Sequence, residues 1–250
     1  MKINNVIINE NERVEDLQRG GYMIIQDPER FCFGIDAVLL SSFCKVKHKE
    51  RVIDLGCGNG IIPILLAART KGKHFTGLEI QRESAELAHR SVILNSLSDK
   101  IKIDTGDIKN AVSIYGHSSF DVVCSNPPYM PLEGQTNSGE ASSKAIARHE
   151  ICCSLDDVLE SASRLLKYGG RFYMVHRPGR ITDILCKARE HGIEVKNIKF
   201  VHARIDKPPA LVLVEALKAG KGGAKVLPPL IIYNEDGEYT EEIKEIYYGE

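Results

Sequence analysis

The sequence of 250 residues contains no apolar run near the ~20 residues needed to cross a membrane as a helix, so no membrane partner is expected. Its first residues, Met1-Lys2-Ile3-Asn4-Asn5, lack the long apolar stretch and small-residue cleavage site of a secretory signal. No Cys-x-x-Cys pair occurs; the seven cysteines are odd in number, and Cys152 and Cys153 are adjacent. These absences point to reduced thiols in a cytoplasmic protein, and away from a disulfide framework or a zinc site. Internal repeats are missing as well. Net charge is nearly missing, at −1, which taken alone speaks against a large nucleic-acid footprint.

The neutral sum hides an uneven distribution. Residues 226–250 hold seven acids and one lysine, so the first 225 residues carry +5. Residues 196–225 hold seven Lys or Arg against two acids. A basic stretch before an acidic tail suits phosphate contact at one place and avoidance at another; an unevenly charged solvated surface gives the same counts. The length fits one α/β domain with decorations. A composition of 43% hydrophobic and 27% charged residues is ordinary for a globular chain.

Apolar patterning predicts strands at 22–26, 52–55, 74–79, 101–103, 120–124, 171–175, 198–203 and 211–217, and helices at 61–69, 81–95, 155–167 and 181–190. Residues 31–40 read as a strand or turn running into a helix, and 133–144 as a mobile polar loop. The helix at 155–167 is expected to close at Gly169-Gly170. Alternation of strands and helices predicts an α/β fold with a mainly parallel seven-stranded sheet and helices on both faces. The last two strands break the alternation and predict an antiparallel edge strand. Three segments follow: an N-terminal extension at 1–50, a main domain at 51–218, and a basic linker with an acidic tail at 219–250.

Asp54-Leu55-Gly56-Cys57-Gly58-Asn59-Gly60 follows the first strand of that domain and opens its first helix. Glycines there let a ligand lie against the backbone, at the carboxyl end of a strand where open α/β sheets bind ligands. A dinucleotide fingerprint needs Gly-x-Gly-x-x-Gly, but that spacing puts Ile61 at the third position. The spacing present, Gly-x-Gly-x-Gly with an acid two residues ahead, resembles the S-adenosylmethionine loop of Rossmann-like methyltransferases. Glu79 ends the second strand 21 residues after Gly58, where a carboxylate can accept both ribose hydroxyls. Asp107 reads equally as an acceptor for an adenine amine and as a turn aspartate.

Asn126-Pro127-Pro128-Tyr129 comes directly after the fourth strand and faces the same crevice. Two prolines fix two φ angles and remove two N–H donors, leaving a rigid loop that presents carbonyl oxygens. The Asn126 side-chain oxygen and the Pro127 backbone oxygen are placed to accept both hydrogens of one NH2 group. That draws the nitrogen lone pair out of conjugation and stabilises the positive charge of methyl transfer. Tyr129 offers a flat face for a planar target.

The set Phe33-Gly34-Ile35-Asp36-Ala37, Asp54 to Gly60, Glu79, Asp107 and Asn126 to Tyr129 resembles class I amino-methyltransferases of the Asn-Pro-Pro-Tyr type. More narrowly, it resembles the bacterial tRNA1(Val) adenine N6-methyltransferase family, with support from Gln26-Asp27, Ala147-Arg148-His149-Glu150 and Val175-His176-Arg177-Pro178. The similarity runs over residues 16–217, and the tail beyond Gly220 adds Leu227-Pro228-Pro229-Leu230. The resemblance implies a Rossmann-like class I fold, S-adenosylmethionine as cofactor with S-adenosylhomocysteine as product, and no metal. It implies a cofactor site of Gly34, Asp36, Asp54, Gly56, Cys57, Gly58, Gly60, Glu79, Ile80, Asp107, Ile108 and Asn126, with the extension 1–50 packed on it. It implies a catalytic set of Asn126, Pro127, Pro128 and Tyr129. Asp36 reads equally as a helix N-cap, and Arg148 and His149 equally as phosphate contacts and as surface residues. No general base is required, because the ammonium-like product loses its proton to water.

The acceptor expected from this set is adenine N6 in tRNA near the anticodon. Alternatives are a glutamine amide in a release factor and guanine N2 in ribosomal RNA, whose enzymes share the motif or aromatic variants of it. An inactive cofactor-binding module is opposed by the intact Asn126 and the full glycine loop. The basic stretch predicts an RNA footprint that includes Lys207 and Lys221.

Overall fold

The computed structural model describes residues 2–4, 6–29, 32–129 and 153–249. The first fifty residues form two short hairpins and a helix: β1 (Lys2–Ile3) with β2 (Val6–Ile7), β3 (Arg13–Asp16) with β4 (Met23–Gln26), and α1 (Ile35–Phe43). Alternation then begins with β5 (Arg51–Leu55), α2 (Ile61–Arg69), β6 (His74–Glu79), α3 (Arg82–Leu94), β7 (Ile101–Thr105), α4 (Ala111–Tyr115) and β8 (Phe120–Ser125). After the segment outside the description come α5 (Leu155–Leu165), β9 (Leu166–His176), α6 (Ile181–Glu190), β10 (Ile193–His202) and β11 (Pro209–Lys218). The tail supplies β12 (Lys225–Val226), β13 (Leu230–Ile231) and α7 (Glu241–Tyr248).

The main sheet runs β7-β6-β5-β8-β9-β11-β10-β12, with β13 also on β10. Pairs from β7 through β9 are parallel, and β11 is antiparallel to both β9 and β10. The expected antiparallel strand therefore exists, one or more places inside the rim rather than on it. A tight β10–β11 turn reverses the chain, and β11 then fills the gap between β9 and β10. Two short tail strands add to the seven expected from patterning, because β10 still has an open edge to pair.

Central strands are buried on both faces. Val52, Val122, Cys124, Tyr173 and Val175 point into a core layer shared with α1 and α2. Their neighbours Ile53, Val123, Phe172 and Met174 point into the layer under α5 and α6, as the two-residue period of a strand requires. Helix α5 starts at a capping box in which Ser154 and Asp157 exchange side-chain and backbone bonds. It stops at Leu165, two residues before the expected end. Leu166 takes extended backbone angles and pairs with Phe120 in the sheet, because a buried strand position is open to it there.

The N-terminal hairpin at 13–26 and the C-terminal helix are both tied to the domain. The β3–β4 hairpin lies on α3, where the Ile25 N–H donates to Ser91 Oγ (3.0 Å) and the Asn95 amide exchanges bonds with Met23. Arg90 grips Glu12 with two nitrogens, at 2.6 and 2.7 Å. The tail buries Leu230, Ile232 and Ile243 in the α1/α2 layer. Arg69 donates to the Ile246 carbonyl at the C-terminal end of α7 (2.6 Å), and Arg19 to the Glu245 carbonyl (3.5 Å), which also accepts from the Gly249 N–H that caps the helix.

Candidate functional site

The carboxyl ends of β5, β6, β7, β8 and β9 lie along one rim of the sheet, and nearly every residue singled out from sequence sits there. The loop after β5 turns sharply: Gly58 and Gly60 have φ of 54° and 84°, the left-handed region that favours glycine. A Cβ on Gly58 would meet nothing within 4 Å, whereas one on Gly60 would come within 3.0 Å of Ala88 Cβ. Gly60 thus lets the loop pack on α3, while open space lies over the Gly58 backbone. Gly56 shares that opening; a Cβ there would touch only Ile108 Cδ1, at 3.9 Å.

Two buried polar groups beside this space lack partners among the described residues: Asp54 Oδ2 and Asn59 Nδ2. An unpaired buried polar group costs about 1–3 kcal/mol, so this pair fits a polar ligand that completes their bonding. Burial pushes the Asp54 carboxyl up to about 8; the Cys124 thiol bonded to its other oxygen opposes this, and the Glu79 charge adds to it. Burial also drives the Cys57 thiol well above its ordinary value. Glu79 accepts from the N–H groups of Gly58 and Gln81, both at 2.9 Å, and so ties the ends of β5 and β6 together. Ile80 is exposed beyond it. Asp107 caps a short 3-10 turn by accepting from the Lys109 N–H at 2.9 Å, which meets the turn-aspartate reading. Ile108 packs under the loop.

The end of β8 is fastened to β5 by the Ser125 hydroxyl, which donates to the Leu55 carbonyl at 2.8 Å. Asn126 and Pro127 follow, half-buried, with Pro128 exposed. The Tyr129 hydroxyl lies 2.9 Å from Asp36 Oδ2 and 2.7 Å from Asn126 Oδ1. Burial, then the Asp36 charge, raises the Tyr129 hydroxyl far above its ordinary value, so it stays protonated. The ring stands 5.2 Å from the His176 ring, and the Arg177 guanidinium lies 5.2 Å from its centroid. Burial holds His176 down to about 4, helped by Arg180, and its Nδ1 accepts from the Arg177 N–H. His176 is therefore neutral beside the tyrosine.

Helix α1 has Gly34 at its N-cap; Asp36 lies in the first turn and accepts from the Ala37 N–H at 2.9 Å. The N-cap reading of Asp36 is thus corrected, since the helix begins one residue before it. Arg148 and His149, and the loop at 133–144, lie outside the described residues. Register separates the two lysines of the expected footprint. Lys207 lies in the β10–β11 turn, beyond His202, at the rim that carries Asn126. Lys221, whose carbonyl accepts from the Lys196 ammonium, lies near the start of β10, about 30 Å away by strand length. Pairing of Asp36 with Tyr129 spans 93 residues and has no local signal. His176 and Asn59 stood inside recognised motifs without a role of their own. Among the described residues no group of three His, Cys, Asp or Glu side chains is placed to hold a metal ion, and no helix is long and apolar enough to cross a membrane.

A family model, the methyltransferase small domain, matches residues 33–188. A tRNA1(Val) (adenine(37)-N6)-methyltransferase from Aeromonas hydrophila is 27% identical over 210 residues, 83% of this chain and 85% of that one. The protein of that name from Phocaeicola vulgatus is 29% identical over 183 residues, 72% and 74% of the two chains. Among solved structures, a predicted O-methyltransferase from Agrobacterium tumefaciens superposes with a TM-score of 0.71 at 23% identity, covering 86% of this chain and 96% of that one. M. jannaschii TYW2 in complex with AdoMet superposes with a TM-score of 0.56 at 15% identity, covering 84% and 86%. These two likenesses speak for the fold.

Proposed function

Because the chain belongs to the methyltransferase small domain family, we propose that it transfers a methyl group from S-adenosylmethionine to the exocyclic N6 of an adenine in tRNA. The observation that carries the reading is the placement of Asn126 and Tyr129 next to a glycine loop whose buried Asp54 and Asn59 atoms lack partners. The cofactor cradle comprises Asp54, Gly56, Cys57, Gly58, Asn59 and Gly60, with Glu79 and Ile80 at the ribose and Asp107 and Ile108 at the adenine. Bound there, S-adenosylmethionine supplies a methyl group activated by a sulfonium.

The chain's own residues prepare the acceptor. The Asn126 side-chain oxygen and the Pro127 carbonyl accept the two amine hydrogens, which localises the lone pair on nitrogen. Their dipoles are fixed by the rigid Pro-Pro loop and need no reorganisation as positive charge develops. Tyr129 supports the face of the base, and orientation of the amine contributes the remaining barrier reduction. The extension 1–50 closes the cofactor side of the cleft through α1. A tRNA substrate fits a cytoplasmic location, and the names of the relatives support adenine N6 as the acceptor.

The test is to incubate the protein with methyl-labelled S-adenosylmethionine and, separately, unmodified total tRNA, ribosomal RNA and release factor, then digest and identify the product. Label in N6-methyladenosine from tRNA supports the reading. Label in methylglutamine or in N2-methylguanine replaces it.

A further inference from the structure

We propose that Asp36 is a positioning residue for the acceptor side: it takes the hydrogen of the Tyr129 hydroxyl and so leaves the Asn126 side-chain oxygen free for the target amine. The inference rests on the methyltransferase reading of this site and assigns Asp36 a task other than holding cofactor.

A phenol has one hydrogen to donate. The Tyr129 hydroxyl stands within reach of two acceptors, Asp36 Oδ2 at 2.9 Å and Asn126 Oδ1 at 2.7 Å. If the hydrogen went to Asn126, it would occupy the oxygen that must accept from the substrate. A carboxylate is the stronger acceptor, since hydrogen bonds to an ionised group are roughly twice as strong as neutral ones. The hydrogen therefore goes to Asp36, and a lone pair of the phenol oxygen faces the Asn126 amide. That arrangement favours the amide orientation in which Asn126 turns its NH2 toward Tyr129 and its oxygen away, toward the amine to be methylated. Oxygen and nitrogen of an amide are assigned from such networks, and the network here selects this orientation.

Each oxygen of Asp36 carries a bond in this role. Its Oδ1 accepts from the Ala37 N–H, and its Oδ2 from Tyr129. Asp54, by contrast, keeps an unpartnered buried oxygen and is the carboxylate left for a cationic part of the cofactor. The sequence before Asp36 makes room for it: a Cβ on Gly34 would come 2.9 Å from Asp36 Oδ1. A side chain at position 34 displaces the carboxylate from its bonding position.

The test is a double-mutant cycle on Asp36→Asn and Tyr129→Phe, with turnover on the wild-type acceptor and calorimetric affinity for S-adenosylhomocysteine read together. Asp36→Asn keeps size and loses charge, so it should slow turnover at saturating cofactor by about 10- to 100-fold and leave product affinity within about 2-fold. Added to Tyr129→Phe, it should cost nothing further, because no phenol hydrogen remains to direct. Gly34→Ala should reproduce a weaker form of the Asp36→Asn effect. Independent, multiplicative losses overturn the role, as does a large loss of product affinity with turnover at saturation unchanged. Wild-type product identity is read first. Absence of any methyl transfer by wild type defeats the functional reading itself, whereas transfer with an additive cycle defeats only this inference.

Discussion

At the scale of single residues, Asp54 gives the most specific expectation. Its carboxyl is pushed up to about 8 by burial, so the free protein holds a proton there at neutral pH. A folded-state value above the ordinary one means that stability is fully present below about 4 and declines as pH rises toward 8. In the proposed cradle, cofactor binding would use the ionised form of Asp54 beside the methionine ammonium. Affinity for S-adenosylhomocysteine should therefore rise between pH 6 and 8, by up to about tenfold per unit, with proton release at pH 7 seen as buffer-dependent binding heat. Asp54→Asn should bind weakly with a flat profile; a steep profile retained in that variant would remove Asp54 from the cradle. His176 has the opposite sense. Held down to about 4, it lowers stability as pH falls from about 6.5 toward 4, and His176→Gln should flatten that limb in urea titrations. Asp54, Glu79 and Asn126 were legible in sequence because each stands at or next to the carboxyl end of a strand, Asp54 and Glu79 within it and Asn126 directly after it. The Asp36–Tyr129 bond was not, because no local pattern records which distant side chains meet.

Among elements, the parallel strands and their helices were legible from apolar runs, glycine stops and alternation. The short pieces were not. Two-residue strands such as β12 carry no period, and α4 is too short to show a face. Helix α7 did leave a signal: Thr240 at its N-cap, Glu241 and Glu242 in the first turn, and Ile243 buried in that same turn. The acidic count of the tail obscured it. Ile243→Ala should lower stability by about 2–4 kcal/mol in chemical denaturation, since its side chain closes the α1/α2 layer. A change below 0.5 kcal/mol would mean that the tail packs loosely. At the other end, Arg90 holds Glu12 down to about 2. That contribution is present above about 4.5 and lost as pH falls through 2. Arg90→Met should cost about 1–2 kcal/mol at pH 7 and reduce the acid sensitivity of the hairpin's hydrogen-exchange protection.

For the whole molecule, charge distribution predicts where the proposed RNA substrate would lie. The sequence showed a basic stretch but not that β10 carries its residues to opposite ends of the sheet. Register puts Lys207 at the rim with Asn126 and Lys221 at the far end. Lys207→Glu should therefore weaken tRNA binding and reduce the magnitude of its salt slope by about 1, whereas Lys221→Glu should leave both near wild type. Equal effects from the two substitutions would require a footprint that wraps the sheet. The fold class survived without this information, because strand alternation fixes topology while surface charge does not.

The most direct test of two adjoining pockets, one for donor and one for a flat amine, is single-turnover transfer to unmodified tRNA by wild type and Asn126→Ala, with S-adenosylhomocysteine affinity measured on both. Wild type should place the label in N6-methyladenosine. The variant should bind the product as well as wild type and transfer at least about 100-fold more slowly. Full-rate transfer by Asn126→Ala, or wild-type label in any residue other than N6-methyladenosine, would contradict the account.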